Sequence, residues 1–233
     1  LRIAVLPMKD PNECLLAGKP DAIISAIWNA AEYHPDGIIN ARDLKDDLFS
    51  DAADIVSYPF PWAPTLTKMT HGLRKGEMLL LTAGSGIGKS TTAREIAYNL
   101  KMKQGMKVGL VMLEENPKKT MRDILSIHMG KPLHLMWNDK TKEEAKANFD
   151  AVFGDGKFII YDHFGSIEGG NLLSKIRYLI VSEGCDFVIF DHVTIAVTAM
   201  DDTSADERKC IDMVMTQLRS LVEETGAGIV VVS

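Results

Sequence analysis

The sequence predicts an α/β protein, a mostly parallel sheet flanked by helices. Two observations carry this. From residue 76 onward, short apolar runs alternate with longer stretches of helical spacing. The runs are β-branched and apolar on consecutive positions, as expected of strands buried on both faces. A third observation, a glycine-rich turn straight after the first run, marks the sheet edge where a ligand is expected, because open parallel sheets bind ligands at the carboxyl ends of their strands.

In order, strands are expected at 78–83, 107–113, 157–161, 186–191 and 228–233, with helices near 90–103, 117–129, 141–152, 170–183 and 204–225. The last helix carries Ile211, Val214, Met215, Leu218, Leu221 and Val222 at helical spacing, a core-facing stripe in which the methionines act as filler. Ser204 and Glu207 have the spacing of a capping box at its start. Upstream, residues 1–36 read as a unit with a short strand, a polar turn at Lys9-Asp10-Pro11-Asn12-Glu13 and a helix near Asp21–Ala31. Tyr33-His34-Pro35-Asp36-Gly37 breaks the pattern. Residues 37–75 read as a linker with a helix over Ala41–Phe49 and an extended stretch, Pro59-Phe60-Pro61-Trp62-Ala63-Pro64. The domain reading is therefore 1–36, 37–75 and 76–233.

The 233 residues, 46% hydrophobic and 25% charged, suit a globular chain with one sizeable α/β domain and an appendage. A net charge of −6 argues against a wholly basic nucleic-acid protein, but leaves room for nucleic acid at a local patch or inside a ring. Cys14, Cys185 and Cys210 are odd in number and lack metal spacing, which points to a reducing compartment. No apolar stretch has membrane-spanning length and none has the pattern of a signal peptide. Both ends read as interior strands, Leu1–Leu6 and Ile229–Ser233, so the sequence is read as a fragment.

Ala83-Gly84-Ser85-Gly86-Ile87-Gly88-Lys89-Ser90 follows the first apolar run and precedes a helical stretch. This is a phosphate-binding loop of the Walker A kind, with Ala83 where the strict pattern has glycine. Glycines let backbone N–H groups curl round a phosphate, Lys89 reaches the β/γ-phosphates, and the Ser90 hydroxyl is placed for Mg²⁺. The helix N-terminus, from Ser90 and Thr91 onward, adds its dipole. The fourth strand, Phe187-Val188-Ile189-Phe190, ends in Asp191, about 100 residues after the loop. That is the Walker B form, whose carboxylate holds Mg²⁺ directly or through water. The second strand ends in Glu114-Glu115. Hydrolysis needs a group to orient or deprotonate the attacking water, and Glu114 is the candidate base because it follows the strand directly. Glu115 suits the acidic first turn of the next helix.

Other polar residues at this edge carry less. Asp162 and His163 either line the same edge or, more simply, serve as turn residues after the third strand. His192 follows Asp191. Thr198–Glu207, with Asp201 and Asp202, reads as a loop able to approach a polymer, although it lacks a Lys/Arg cluster; Arg208 and Lys209 read as a solvated helix face.

With these motifs assembled, the chain resembles the RecA-like P-loop motor of ring-shaped replicative DNA helicases, and most closely the primase–helicases of tailed phages. The mitochondrial Twinkle helicase is a more distant likeness. The resemblance rests on Gly84–Ser90, Lys107–Glu115, Gly184–His192, Asp206–Lys209 with Ile211-Asp212, and the connector Leu66–Glu77. Leu6–Cys14 resembles the last part of a TOPRIM primase fold. The resemblance implies Glu114 as catalytic base, Gly84, Ser85, Gly86, Ile87, Gly88, Lys89, Ser90 and Thr91 as the nucleotide loop, and Ser90 with Asp191 at Mg²⁺. It implies ATP or another NTP or dNTP as substrate, a hexameric ring around single-stranded DNA, replication proteins as further partners, and the host cytoplasm, ahead of a mitochondrial matrix, as location. The 41–49 helix would dock on a neighbouring subunit, or serve as a plain linker. Asp10 would be a surviving TOPRIM metal ligand or, more simply, a turn residue before Pro11. In the family, the arginine finger and a DNA-contacting loop lie beyond the position matching Ser233. A finger contributes about 10³–10⁵ in rate in related NTPases, so the fragment is expected to bind nucleotide better than it hydrolyses it. Two alternatives stay open: a RecA-type recombination or regulatory ATPase, and a non-motor nucleotide-binding module.

Overall fold

Apolar runs of three to five residues have no face to offer water, so they assemble edge to edge and bury both faces under helices. In the computed structural model, which describes residues 2–32, 38–50, 56–163, 169–198 and 207–233, the chain divides into the units Leu1–Asp54 and Ile55–Ser233.

The first unit contains β1 (Arg2–Ile3), α1 (Pro11–Leu16), α2 (Pro20–Trp28) and β2 (Ala31–Glu32), then a 3₁₀ turn (Ala41–Leu44) that runs into α3 (Lys45–Ser50). β1 and β2 pair antiparallel. The expected polar turn at 9–13 is instead the start of α1. The Asp10 carboxylate accepts from the Glu13 backbone N–H at 2.8 Å, and Pro11 occupies the first helical position. Turn composition and helix-start composition coincide here, since Asp and Pro serve both. The helix expected over 41–49 is split, its first turn being 3₁₀ and capped by Asn40. The break at 33–37 lies outside the described residues.

The second unit opens with β3 (Ser57–Tyr58), α4 (Pro64–Thr70) and β4 (Leu73–Arg74). Residues 56–75, expected to be a linker, pack instead on the main body. Tyr58, Phe60 and Leu73 are buried in one core cluster. The Tyr58 ring meets Phe187 edge-on at 5.5 Å, and Asn99 Nδ2 donates to the Pro59 carbonyl at 2.8 Å.

Then come β5 (Met78–Leu81), α5 (Lys89–Met102), β6 (Val108–Met112), α6 (Pro117–Met129), α7 (Asp139–Phe153), β7 (Phe158–Ile160), α8 (Gly169–Val181), β8 (Phe187–Asp191), α9 (Val193–Thr198), α10 (Glu207–Thr225) and β9 (Gly228–Val232). The five strands form one parallel sheet in the order β5-β9-β8-β6-β7. Each expected strand is present, shortened by a residue or two at its ends. One core layer packs α5, α6 and α7 against the sheet and the other packs α8, α9 and α10, so both faces are covered. α9 had no sequence signal, because Val193-Thr194-Ile195-Ala196-Val197-Thr198 is β-branched and short. All three cysteines are buried and unbridged. No described helix is long and apolar enough to cross a membrane.

The strand order fixes the place of the site. From β6 the chain moves to β7 at one edge, whereas from β8 it moves the opposite way, to β9 on the β5 side. The adjacent carboxyl ends of β6 and β8 therefore flank the switch point, where open α/β sheets form a crevice. Met112 and Asp191 are register partners there.

Candidate active site at the strand ends

Between β5 and α5 the backbone must reverse within a few residues. Gly86 and Gly88 have φ of +77° and +99°, left-handed values that residues with a Cβ rarely adopt. A Cβ at either would meet nothing within 4 Å, so backbone conformation rather than packing calls for glycine. Gly88 is the N-cap of α5, which leaves the first N–H groups of that helix directed at the loop. Lys89 folds back over the loop, its ammonium donating to the Ala83 carbonyl at 2.5 Å, with the Gly84 carbonyl at 3.5 Å. Ser85, Gly86, Gly88, Lys89, Ser90 and Thr91 line one wall of a cleft. Gly84 and Ile87 are not on that wall, and the Ile87 side chain is 73% exposed.

The opposite wall comes from the ends of β6 and β8. Asp191 is 1% exposed, and its Oδ1 has no hydrogen-bond partner among the described residues. Burial pushes its pKa above the ordinary carboxylate value. The hydrogen bond from Ser90 acts against that, the Glu114 charge reinforces it, and the charges of His192 and Arg94 oppose it. An orphaned, desolvated carboxylate oxygen beside a serine hydroxyl is a poor apolar-core element and a good cation ligand. No cluster of three or more His, Cys, Asp or Glu among the described residues could cage a metal. Mg²⁺ is commonly bound by one or two protein oxygens together with substrate phosphates and water. Ser90 and Asp191 thus suit the ion the sequence assigned to them.

The Leu113 amide donates to the Asp191 carbonyl at 2.5 Å, carrying the β6–β8 ladder one residue further. Glu114 emerges directly after it, exposed, and lines the same cleft as Lys89, Ser90, Asp191 and His192. Glu115 turns the other way. Its side chain is 7% exposed and bonds Arg94 Nη1 at 2.8 Å, the Thr120 hydroxyl at 2.9 Å, and Lys119. Burial works to lower the Lys119 pKa, but hydrogen bonds to Glu115 and Asp123, together with their charges, outweigh it and raise it.

Asp162 and His163 follow edge strand β7 and do not line the cleft. His192 does, with Nδ1 at 2.8 Å from the Thr194 hydroxyl. In the loop expected to approach a polymer, residues 199–206 lie outside the described residues, as does the Ser204 cap. Arg94 and Lys119 also line the cleft, and nothing in the sequence singled them out. Arg94 stands one helical turn beyond Ser90 on α5, but a single basic residue in a helix does not announce burial.

Comparison with known proteins agrees with this geometry. Residues 63–233 match the family described as DnaB-like helicase C terminal domain. The whole chain aligns at 37% identity over 240 residues with a protein of Enterobacteria phage T3 described as DNA helicase/primase, of whose length it spans 42%. Among solved structures, one described as an ATPase domain superposes with a TM-score of 0.63 at 18% identity, covering 85% of this chain and 72% of that one. A KaiC-like protein from Pyrococcus horikoshii gives 0.56 at 22% identity, covering 77% and 71%. These two likenesses show the fold alone, a parallel sheet covered by helices on both faces. With more than half its length inside the family match, the chain belongs to the DnaB-like helicase C-terminal domain family.

Proposed function

We propose that residues 56–233 form the motor of a replicative helicase that hydrolyses a nucleoside triphosphate to translocate along single-stranded DNA. The observation carrying this is the convergence of Lys89, Ser90, Asp191 and Glu114 on one cleft at the switch point of the sheet. Backbone N–H groups of the loop and Lys89 bind the β- and γ-phosphates. Mg²⁺ held by Ser90 and Asp191 would neutralise charge building on the phosphoryl oxygens. Glu114 orients the attacking water and takes its proton.

The phage relative described as a helicase/primase, aligned over this whole chain, supports reading residues 1–36 as the end of a primase-type domain in a phage-encoded protein of the host cytoplasm. Asp10 caps α1 in this reading. The segment 41–50 is the docking helix of a ring, with single-stranded DNA threaded through the ring.

The test is steady-state turnover of the full-length protein with and without single-stranded DNA. DNA is expected to stimulate hydrolysis, and Lys89→Ala to abolish nucleotide binding or turnover while the fold survives. Turnover indifferent to DNA would leave a nucleotide-binding module without a motor. DNA-stimulated turnover with no unwinding of a forked duplex would favour a recombination-type ATPase.

A further inference from the structure

Glu114 has no hydrogen bond or ion pair with any described residue that would fix its carboxylate. Its aim must therefore come from the backbone that carries it. The adjacent residue is held far more firmly. Arg94 is 7% exposed and sits on α5, the helix that begins at Lys89. Its Nη1 bonds Glu115 Oε1 at 2.8 Å and its Nη2 lies 3.4 Å from Asp123 Oδ2 on α6. Thr120 donates to the same Glu115 oxygen at 2.9 Å, and Lys119 bonds its other oxygen and reaches Asp123 at 3.1 Å.

We propose that Arg94 is a positioning residue for hydrolysis: its buried bond to Glu115 locks the turn between β6 and α6 to the phosphate-loop helix, and so holds Glu114 at the distance from the phosphate site that hydrolysis needs. This rests on Glu114 being the base. An apolar contact would join α5 to α6 at least as stably as a buried ion pair does. What the guanidinium adds is direction, because a planar fork bonds its carboxylates in a fixed geometry. With both arms on carboxylates, Arg94 acts through Glu115 rather than as a ligand of the nucleotide. The same helix carries Ser90, so one rigid element sets both the metal side and, through Glu115, the water side of the site. Misplacement of a reacting group by about 1 Å costs on the order of 10²-fold in rate.

The experiment uses the full-length protein with single-stranded DNA and measures kcat and nucleotide KM for Arg94→Met, Arg94→Lys and Glu115→Gln, each alone and combined with Glu114→Gln. Arg94→Met is expected to lower kcat about tenfold or more and to leave KM within about twofold. Arg94→Lys, which keeps a cation, should recover part of the loss, and Glu115→Gln, which keeps an acceptor, should lose only a few-fold. In the Glu114→Gln background the residual rate should fall by less than about twofold on adding Arg94→Met, because the group being positioned is already gone. An equal loss in both backgrounds, or a raised KM with kcat kept, overturns the proposal in favour of a structural or binding role. If Arg94→Met does not fold, Arg94→Lys and Glu115→Gln carry the same comparison. Full activity of Glu114→Gln removes the base assignment and this proposal with it. An inactive Glu114→Gln beside a fully active Arg94→Met removes the proposal alone.

Discussion

Glu114 and Glu115 share a chemistry and differ by one position, yet one faces the cleft and the other is roofed by Arg94, Thr120 and Lys119. Sequence separated them only by distance from the strand end. That Lys89, Ser90 and Asp191 would meet at one sheet edge was legible, because a glycine-rich loop and an acid-ended strand both belong at the carboxyl ends of a parallel sheet, and the structure brings the three to one cleft. Arg94 was not, since its role depends on which carboxylates fold onto it. Asp191 shows what the site costs. Its raised pKa means that the folded chain resists ionisation more than the unfolded chain does, so the ionised carboxylate subtracts stability at neutral pH. Asp191→Asn is expected to raise the melting temperature when Mg²⁺ is chelated, by about 2–4 °C per kcal/mol relieved, while lowering Mg²⁺-dependent turnover. Calorimetry checks the first part and a rate profile against Mg²⁺ the second. A profile matching the parent at every concentration would remove Asp191 from the metal site.

At the scale of elements, the sheet was legible because double burial forces continuous apolar strands. Among the short helices, α1, α4 and α9 were not. α1 and α4 both begin with proline in the first turn, which in sequence also reads as a turn. At the amino end of β8, Asp186 ties three segments together. It accepts from the Lys107 backbone N–H at 2.9 Å and pairs with Lys75 at 2.7 Å. Burial pushes its pKa up, but the Lys75 and Lys107 hydrogen bonds and nearby lysine charges win, so the net shift is downward. A carboxylate lowered in the folded state adds stability that is full above its unfolded pKa of about 3.9 and is lost as pH falls through the folded value. Asp186→Asn is therefore expected to cost about 1 kcal/mol at pH 7, discounted for the half-exposed lysine. Denaturant melts should show that deficit shrinking below about pH 4. A deficit that is constant with pH would mean the charge is not responsible.

For the proposed ring, the net charge of −6 carried by this chain disfavours DNA at long range. Affinity for a single strand must then come from a local surface. Closing a ring brings weak contacts from several subunits onto one strand, and linked contacts gain affinity without new chemistry. The full-length protein is expected to form a closed ring with Mg²⁺ and a non-hydrolysable nucleotide, measured as mass by light scattering. A strict monomer under those conditions would refute the ring. The sequence suggested the family through its strand-end motifs. It could not show that residues 56–75 belong to the main body, because Tyr58 and Phe60 declare themselves core residues only once Phe187 and α5 are in place.

One joint at this edge has a mechanical consequence. A single residue, His192, separates the end of β8 at Asp191 from the start of α9 at Val193. A single residue spans at most about 3.3–3.6 Å, so the joint has almost no slack. β8 is clamped between β6 and β9 in register, and α9 packs against α8 and α10. A shift of the strand end cannot be absorbed as play and must be passed on as displacement of α9. Between Asp191 and α9, the protein has a coupling rod rather than a hinge.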